Sequence, residues 1–287
     1  MQLQQQITTP KRPVRRYGLD EMRRRCAYRP GGRHSYGSAP NDDIRAAAAA
    51  GPTDPLTIVS SRTPFFFLSS DLGVAEVGGV GTGVSTWTDQ SAGGKNATQI
   101  DSVPARPAYS ANGGPNSRGL ITFNGSAHWM EFQTWDPPAP GTTPIWFFWV
   151  LSALSHTNGD NLYSGGTTAT LRCRQGATTG TVGASNGTLG QEITALTVGS
   201  YFRGENLFSN STSDYLKVGS VSTTIPGTNT GNTDCVAGNF RICCDVVTRF
   251  GHIAWCCFGA WNGEPTTLEK NSLSSWVTNY YGGSVGV

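Results

Sequence analysis

Nineteen Asp and Glu side chains and four histidines (His34, His128, His156 and His252) are the acid–base groups of this 287-residue chain. Their spacing argues against the commoner uses of such groups. Retaining glycoside hydrolysis needs two carboxylates about 5 Å apart. A strand supplies them through an E-x-D pattern, because alternate side chains face one side. No E-x-D occurs, and the acids are scattered. The adjacent pair Asp42 and Asp43 stands where a short helix begins. The histidines form no H-x-H or H-E-x-x-H, and neither G-x-S-x-G nor a P-loop is present. GGVGTGVS (78–85) holds a G-x-G, but no helix follows to receive a phosphate. Of seven cysteines, four form the vicinal pairs Cys243–Cys244 and Cys256–Cys257. Neighbours on a strand point to opposite faces and make a poor tetrahedral set, so these read as small buried hydrophobes. The expectation is no enzyme, no cofactor and no metal.

The other chemistry is cationic. Residues 1–50 hold ten Lys and Arg against four Asp and Glu, whereas the remainder holds eleven against fifteen. A basic arm thus precedes a mildly acidic body. Arg12, Arg15, Arg16, Arg23, Arg24, Arg25, Arg29 and Arg33, with Tyr17 and Tyr28 among them, suit bidentate pairing with carboxylates of a partner surface. The acidic body disfavours nucleic acid as that partner. NDDIRAAAAAG (41–51) reads as one short helix, capped by Asn41 and stopped by Gly51. Residues 1–55 have no core of their own and need a surface to lie on. The first twenty residues lack an apolar stretch, and no run of eighteen apolar residues occurs. The reading is therefore a chain made in the cytoplasm, with no membrane association.

Residues 56–287 must position whatever site the body carries. Gly makes up 37 of 287 residues, and short apolar runs alternate with Gly, Pro and Asn turns. The clearest runs are PFFFLSS (64–70), LITFNG (120–125), HWMEF (128–132), PIWFFWVLSAL (144–154), SYFRGENL (200–207) and HIAWCCFGAW (252–261). Their length and spacing predict two packed antiparallel sheets. PTTLEKNSLSSWVTNYYGG (265–283) predicts a helix. Thr266 and Glu269 form a capping box, and Leu273, Trp276, Val277 and Tyr280 make one stripe.

WTDQSAGGKNATQ (87–99), ARPAY (105–109) and LITFNGSAHWMEF (120–132) resemble the opening of laminin-G-like, concanavalin A-like domains of bacteria and tailed phages. The chain's last strand, turn and helix resemble that family's close. The resemblance spans about residues 66–282. It implies a jelly-roll sandwich with a short C-terminal helix and an unrelated extended N-terminal arm. His128-Trp129 stands where some members carry calcium-binding acids, and calcium wants oxygen ligands, so no metal is expected there. The resemblance leaves the 87–99 loop two roles. Either Trp87 packs inward while Asp89, Ser91 and Asn96 bond the loop's own backbone, or Trp87 is a stacking platform for a sugar. Trp129 and Trp135 are further candidates for such a platform. The function it implies is a non-enzymatic structural component of a phage virion. It would be a capsid decoration or cement protein, head spike or tail accessory protein, docked by its arm on other virion proteins and oligomeric through multivalency. The alternative is a carbohydrate-binding adhesion module that recognises a host-surface glycan.

Overall fold

The computed structural model describes residues 54–286, apart from 77–80, 82, 100–102, 134, 136–142, 166–170, 187–188, 210–213, 226–239 and 246–248. The chain divides into units 1–50 and 51–287, and every described residue lies in the second. The basic arm, with all its Arg and Tyr candidates, lies outside the described residues.

The body is all-β, with two nine-stranded sheets. The first sheet runs in the order β15 (Val221–Thr224), β14 (Tyr215–Val218), β13 (Tyr201–Phe208), β8 (Ile145–Ala153), β17 (Ile253–Asn262), β6 (Leu120–Thr122) and β5 (Ala108–Ser110). In addition, β1 (Pro64–Ser69) pairs with β17, and β18 (Val285–Gly286) lies parallel to β13. The second sheet runs β12 (Leu189–Thr194), β11 (Thr181–Asn186), β10 (Arg172–Gln175), β9 (Asn161–Ser164), β16 (Arg241–Ile242), β7 (Met130–Phe132), β4 (Ala97–Thr98), β3 (Thr86–Trp87) and β2 (Val74–Ala75). The predicted two-sheet antiparallel architecture is what forms.

The unbroken apolar run of β8 follows from its position. Ile145, Phe147, Trp149, Leu151 and Ala153 face the second sheet, while Trp146, Phe148 and Val150 face the helix α2 (Thr267–Tyr281). A strand covered on both sides has no polar face to show. In β17 the register shifts between Trp255 and Cys257, and this bulge puts both Cys256 and Cys257 on the helix side. Simple alternation had placed them on opposite faces. All five described cysteines are buried and free, as small hydrophobes should be.

Helix α2 carries the predicted capping box and buries Leu273, Trp276 and Val277. The stripe ends on buried Tyr281, with Tyr280 half-buried beside it. Glu269 does more than cap. It also accepts from the Ser61 N–H at 2.8 Å and the Ser61 hydroxyl at 2.6 Å, tying α2 to the segment after the short helix α1 (Pro55–Ile58). Burial pushes its carboxyl up, but the bonds from Ser61 and Thr266 outweigh that and hold it down at about 2. A carboxyl depressed on folding contributes stability above its unfolded value, near 4.5, and loses it as pH falls toward 2. Melting temperature should therefore drop between about pH 4.5 and pH 2, and Glu269→Gln should flatten that drop. Equal slopes in the two proteins would remove this role from Glu269.

Candidate functional site

One face of each sheet is committed to the core. The outer face of the first sheet packs against α2. The outer face of the second sheet is where polar side chains gather. On its inner side Met130, Phe132, Ala97, Trp87, Ile242, Cys173 and Val182 enter the inter-sheet core. By alternation the residues between them point outward. Strand register then aligns a polar row: Ser185 opposite Arg172, Arg172 opposite Ser164, Ser164 opposite Arg241, Arg241 opposite Glu131, and Glu131 opposite Thr98. At about 4.8 Å per strand, Ser185 to Glu131 spans roughly 19 Å.

The row has two ends of different character. At one end Trp129 precedes β7 and is half-buried, and the Arg241 guanidinium carbon lies 4.4 Å from its ring centroid. Arg241 Nε is 3.5 Å from Glu131 Oε2. An aromatic plate, a guanidinium and a carboxylate thus stand together. Gln99 Nε2 donates to the Trp129 carbonyl at 2.7 Å and to the Ala105 carbonyl at 3.2 Å, which fixes the backbone beside the plate. Burial lowers the neighbouring His128 imidazole below its usual range, against a hydrogen bond to the Thr122 backbone.

At the other end a groove of about 190 Å3 runs over β10, β11 and β12, between Arg172 and Arg174 on one wall and Glu192 on the other. Its floor contains Gly183 and Gly190. A Cβ on Gly183 would lie 2.8 Å from Glu192 Cγ, and one on Gly190 2.8 Å from Ser185 Cβ. Any other residue there would fill the space. Arg172 Nε donates to Ser185 Oγ at 2.8 Å. Burial lowers the Arg172 guanidinium, and the positive charges of Arg174 and Arg249 lower it further, against the pull of Asp245. Asp160 feels one of these cations, Arg249. Burial raises its carboxyl, while Thr157, His156 and Arg249 oppose that rise.

The structure separates the three tryptophan candidates. Trp87 is 0% exposed and Trp135 is 4% exposed, both in the inter-sheet core. Neither can present a ring to a sugar, which corrects that expectation for both. The 87–99 loop takes its structural role: Asp89 accepts from Phe67 N, Ser91 N, Ser91 Oγ and Lys95 N, and Asn96 Oδ1 accepts from Asp89 N. Trp129 alone of the three lies on the outer face. Sequence reading missed Arg172, Arg174, Glu131, Glu192 and Arg241. A signal existed in HWMEF: Met130 and Phe132 are the apolar pair, so Trp129 and Glu131 share the opposite face. No group of three or more His, Cys, Asp and Glu suited to a metal ion occurs among the described residues.

No family model matches the chain, and no curated protein matches it in sequence. Solved structures do resemble it. A Trypanosoma rangeli sialidase in complex with sialic acid aligns with TM-score 0.50 and 11% identity over 85% of this chain and 40% of the sialidase. An arabinofuranosidase complexed with arabinofuranosyl-alpha-1,2-xylobiose aligns with TM-score 0.51 and 12% identity over 69% of this chain and 51% of that enzyme. A GH54 α-L-arabinofuranosidase soaked with a cyclic sulfate inhibitor gives TM-score 0.53 at 12% identity. The chain spans between about a third and a half of the length of the structures it matches. At such identities the likeness is one of fold.

These findings correct three expectations. The neighbours are glycosidases rather than laminin-G-like lectins, so the family resemblance does not hold. The assignment to a phage virion, as decoration, spike or tail component, rested on that resemblance and falls with it. The exclusion of enzymes falls too. The missing E-x-D pattern speaks to one way of placing two acids, whereas the fold's neighbours are a sialidase and arabinofuranosidases.

Proposed function

We propose that the outer face of the second sheet recognises a saccharide. The observation that carries this reading is the register-aligned row from Ser185 to Glu131, ending at Trp129 with Arg241 stacked on it. Sugars offer apolar C–H faces and a dense set of hydroxyls. An aromatic plate suits the first, and charged side chains set beside it suit the second. The exposed Glu192 accepts hydroxyl protons and the guanidinium groups donate to ring and hydroxyl oxygens, while Glu131, buried beneath Arg241, holds that guanidinium in place. The resemblance in fold to a sialidase holding sialic acid and to an arabinofuranosidase holding a substituted xylobiose supports the same ligand class.

The test is a glycan array probed with the full chain, followed by titration calorimetry on the strongest hit. Trp129→Ala should weaken binding about tenfold or more, because it removes both the plate and the support of Arg241. Trp129 is half-buried at the surface, so melting temperature should change little. Chromatography of the same samples for released sugar separates binding from hydrolysis. An array without hits, or a Trp129→Ala variant that binds like the parent, would refute the proposal.

A further inference from the structure

We propose that the groove at the Arg172 end of this face selects acidic saccharides, holding a carboxylate or sulfate of the ligand between Arg172 and Arg174. The inference rests on saccharide recognition at the same face and adds the charge of the sugar. Its basis is geometric. Arg172 and Arg174 lie two residues apart on β10, so both project from the same face. Arg172 spends one N–H on Ser185 Oγ. The Arg174 backbone is taken up in the sheet, and no side-chain hydrogen bond or ion pair of Arg174 occurs among the described residues. Arg249 adds a third positive charge felt at Arg172, partly offset by Asp245, which lies 4.0 Å from Arg249.

Like charges held together on a half-buried surface repel, and folding gains nothing from leaving them so. A bound anion converts that repulsion into attraction. A guanidinium fork matches the two oxygens of a carboxylate or sulfate. The groove's acid, Glu192, stands on the opposite wall, and its Oε2 accepts from Ala177 N at 3.1 Å. That carboxylate repels a second anion and accepts hydroxyls, so the site is polarised: acid group toward β10, hydroxyls toward β12. A volume near 190 Å3 is below the roughly 300–1,000 Å3 of drug-sized pockets. It suits one sugar unit, with the rest of a chain running along the row toward Trp129. Gly183 and Gly190 keep that space open.

The experiment titrates the full chain with matched pairs: sialyllactose against lactose, and tetragalacturonate against its methyl ester. Inorganic sulfate is a third arm. The expected result is tighter binding of the acidic member of at least one pair by about tenfold. The preference should shrink with added salt, because a partly exposed ion pair is screened. Arg172→Gln/Arg174→Gln should abolish the preference, bringing the acidic member's affinity down to that of its neutral partner, with little change in melting temperature. Equal affinity within both pairs overturns the charge selection and leaves saccharide recognition standing. Sulfate binding as tightly as the acidic sugar reduces the groove to an anion site and overturns the inference. A preference that survives the double substitution places the acid group elsewhere, which also overturns it. No binding of any saccharide, here or on the array, removes saccharide recognition itself.

Discussion

Replacing Asp89 with Ala should destabilise the body by about 3 kcal/mol, measured by urea unfolding. The carboxylate is 8% exposed and receives four hydrogens: Phe67 N–H at 2.9 Å, Ser91 N–H at 2.8 Å, Ser91 Oγ–H at 2.9 Å and Lys95 N–H at 2.8 Å. These four are unequal. Phe67 lies in β1 and is 3% exposed, so its N–H would be left without a partner and would forfeit about 1–3 kcal/mol. Ser91 and Lys95 are half-exposed, and water replaces part of what they lose, at about 0.5–1 kcal/mol each. Gly93 allows no relaxation on that side, since its Cα already packs so close that a Cβ would lie 2.4 Å from the Phe65 carbonyl oxygen. Asp89→Asn keeps the shape and one acceptor oxygen, but turns an amide toward donors, so it should cost about half as much. A loss below about 1 kcal/mol for the alanine variant would mean that the loop folds without its carboxylate.

This loop shows what local sequence can carry. Apart from the Phe67 N–H, the partners of Asp89 lie within seven positions of it, and Asp, Ser and Asn advertise such turns by their chemistry. The longest strands were legible for a related reason. β8 and β17 are covered on both sides, so their apolar runs are continuous and unmistakable. The α2 capping box was legible because it is complete within four residues. The strands β2, β3 and β4 have two residues each, too few to show a period. β11 reads TVGASN, and its inward pair Val182 and Ala184 is too short and small a stripe to stand out from the Gly and Ser that alternate with it. The polar row was illegible for a deeper reason. Residues 131, 164, 172, 185 and 241 meet only through the register of five strands. Only Ser164 and Arg172 are near neighbours in sequence, and nothing local to the others records that meeting. The tryptophans failed differently. Trp87 and Trp129 each precede or sit in a short strand, and only the parity of their neighbours separates the buried ring from the outward one.

Asn206 sets the second large effect, and it lies where the two sheets meet. It belongs to β13 in the first sheet and is 0% exposed. Its Oδ1 accepts from Trp149 Nε1 at 3.1 Å, on the neighbouring strand β8, and from the Tyr163 hydroxyl at 2.9 Å, on β9 of the second sheet. One oxygen thus satisfies two buried donors and bridges the layers. Burial keeps the Tyr163 phenol well above its usual range, so it stays protonated and donating. Asn206→Leu keeps the volume but orphans both donors. At about 1–3 kcal/mol for each, the loss should be about 3 kcal/mol. Neither ring can turn away to find another acceptor. Gly204 sits beside Trp149, and a Cβ there would come within 2.0 Å of Trp149 Cζ2, so the indole fills all the space that glycine leaves. Tyr163 stacks among Phe147, Phe240 and Phe258 with centroids 4.8 to 5.8 Å away. A double-mutant cycle distinguishes lost bonds from lost packing. Tyr163→Phe alone should cost about 1 kcal/mol, because it breaks one bond and leaves Asn206 Oδ1 still paired with Trp149. In the Asn206→Leu background the same change should be neutral or stabilising, since it removes a hydroxyl that has no partner. If the two losses simply add, the bridge contributes nothing and Asn206 serves only to fill space.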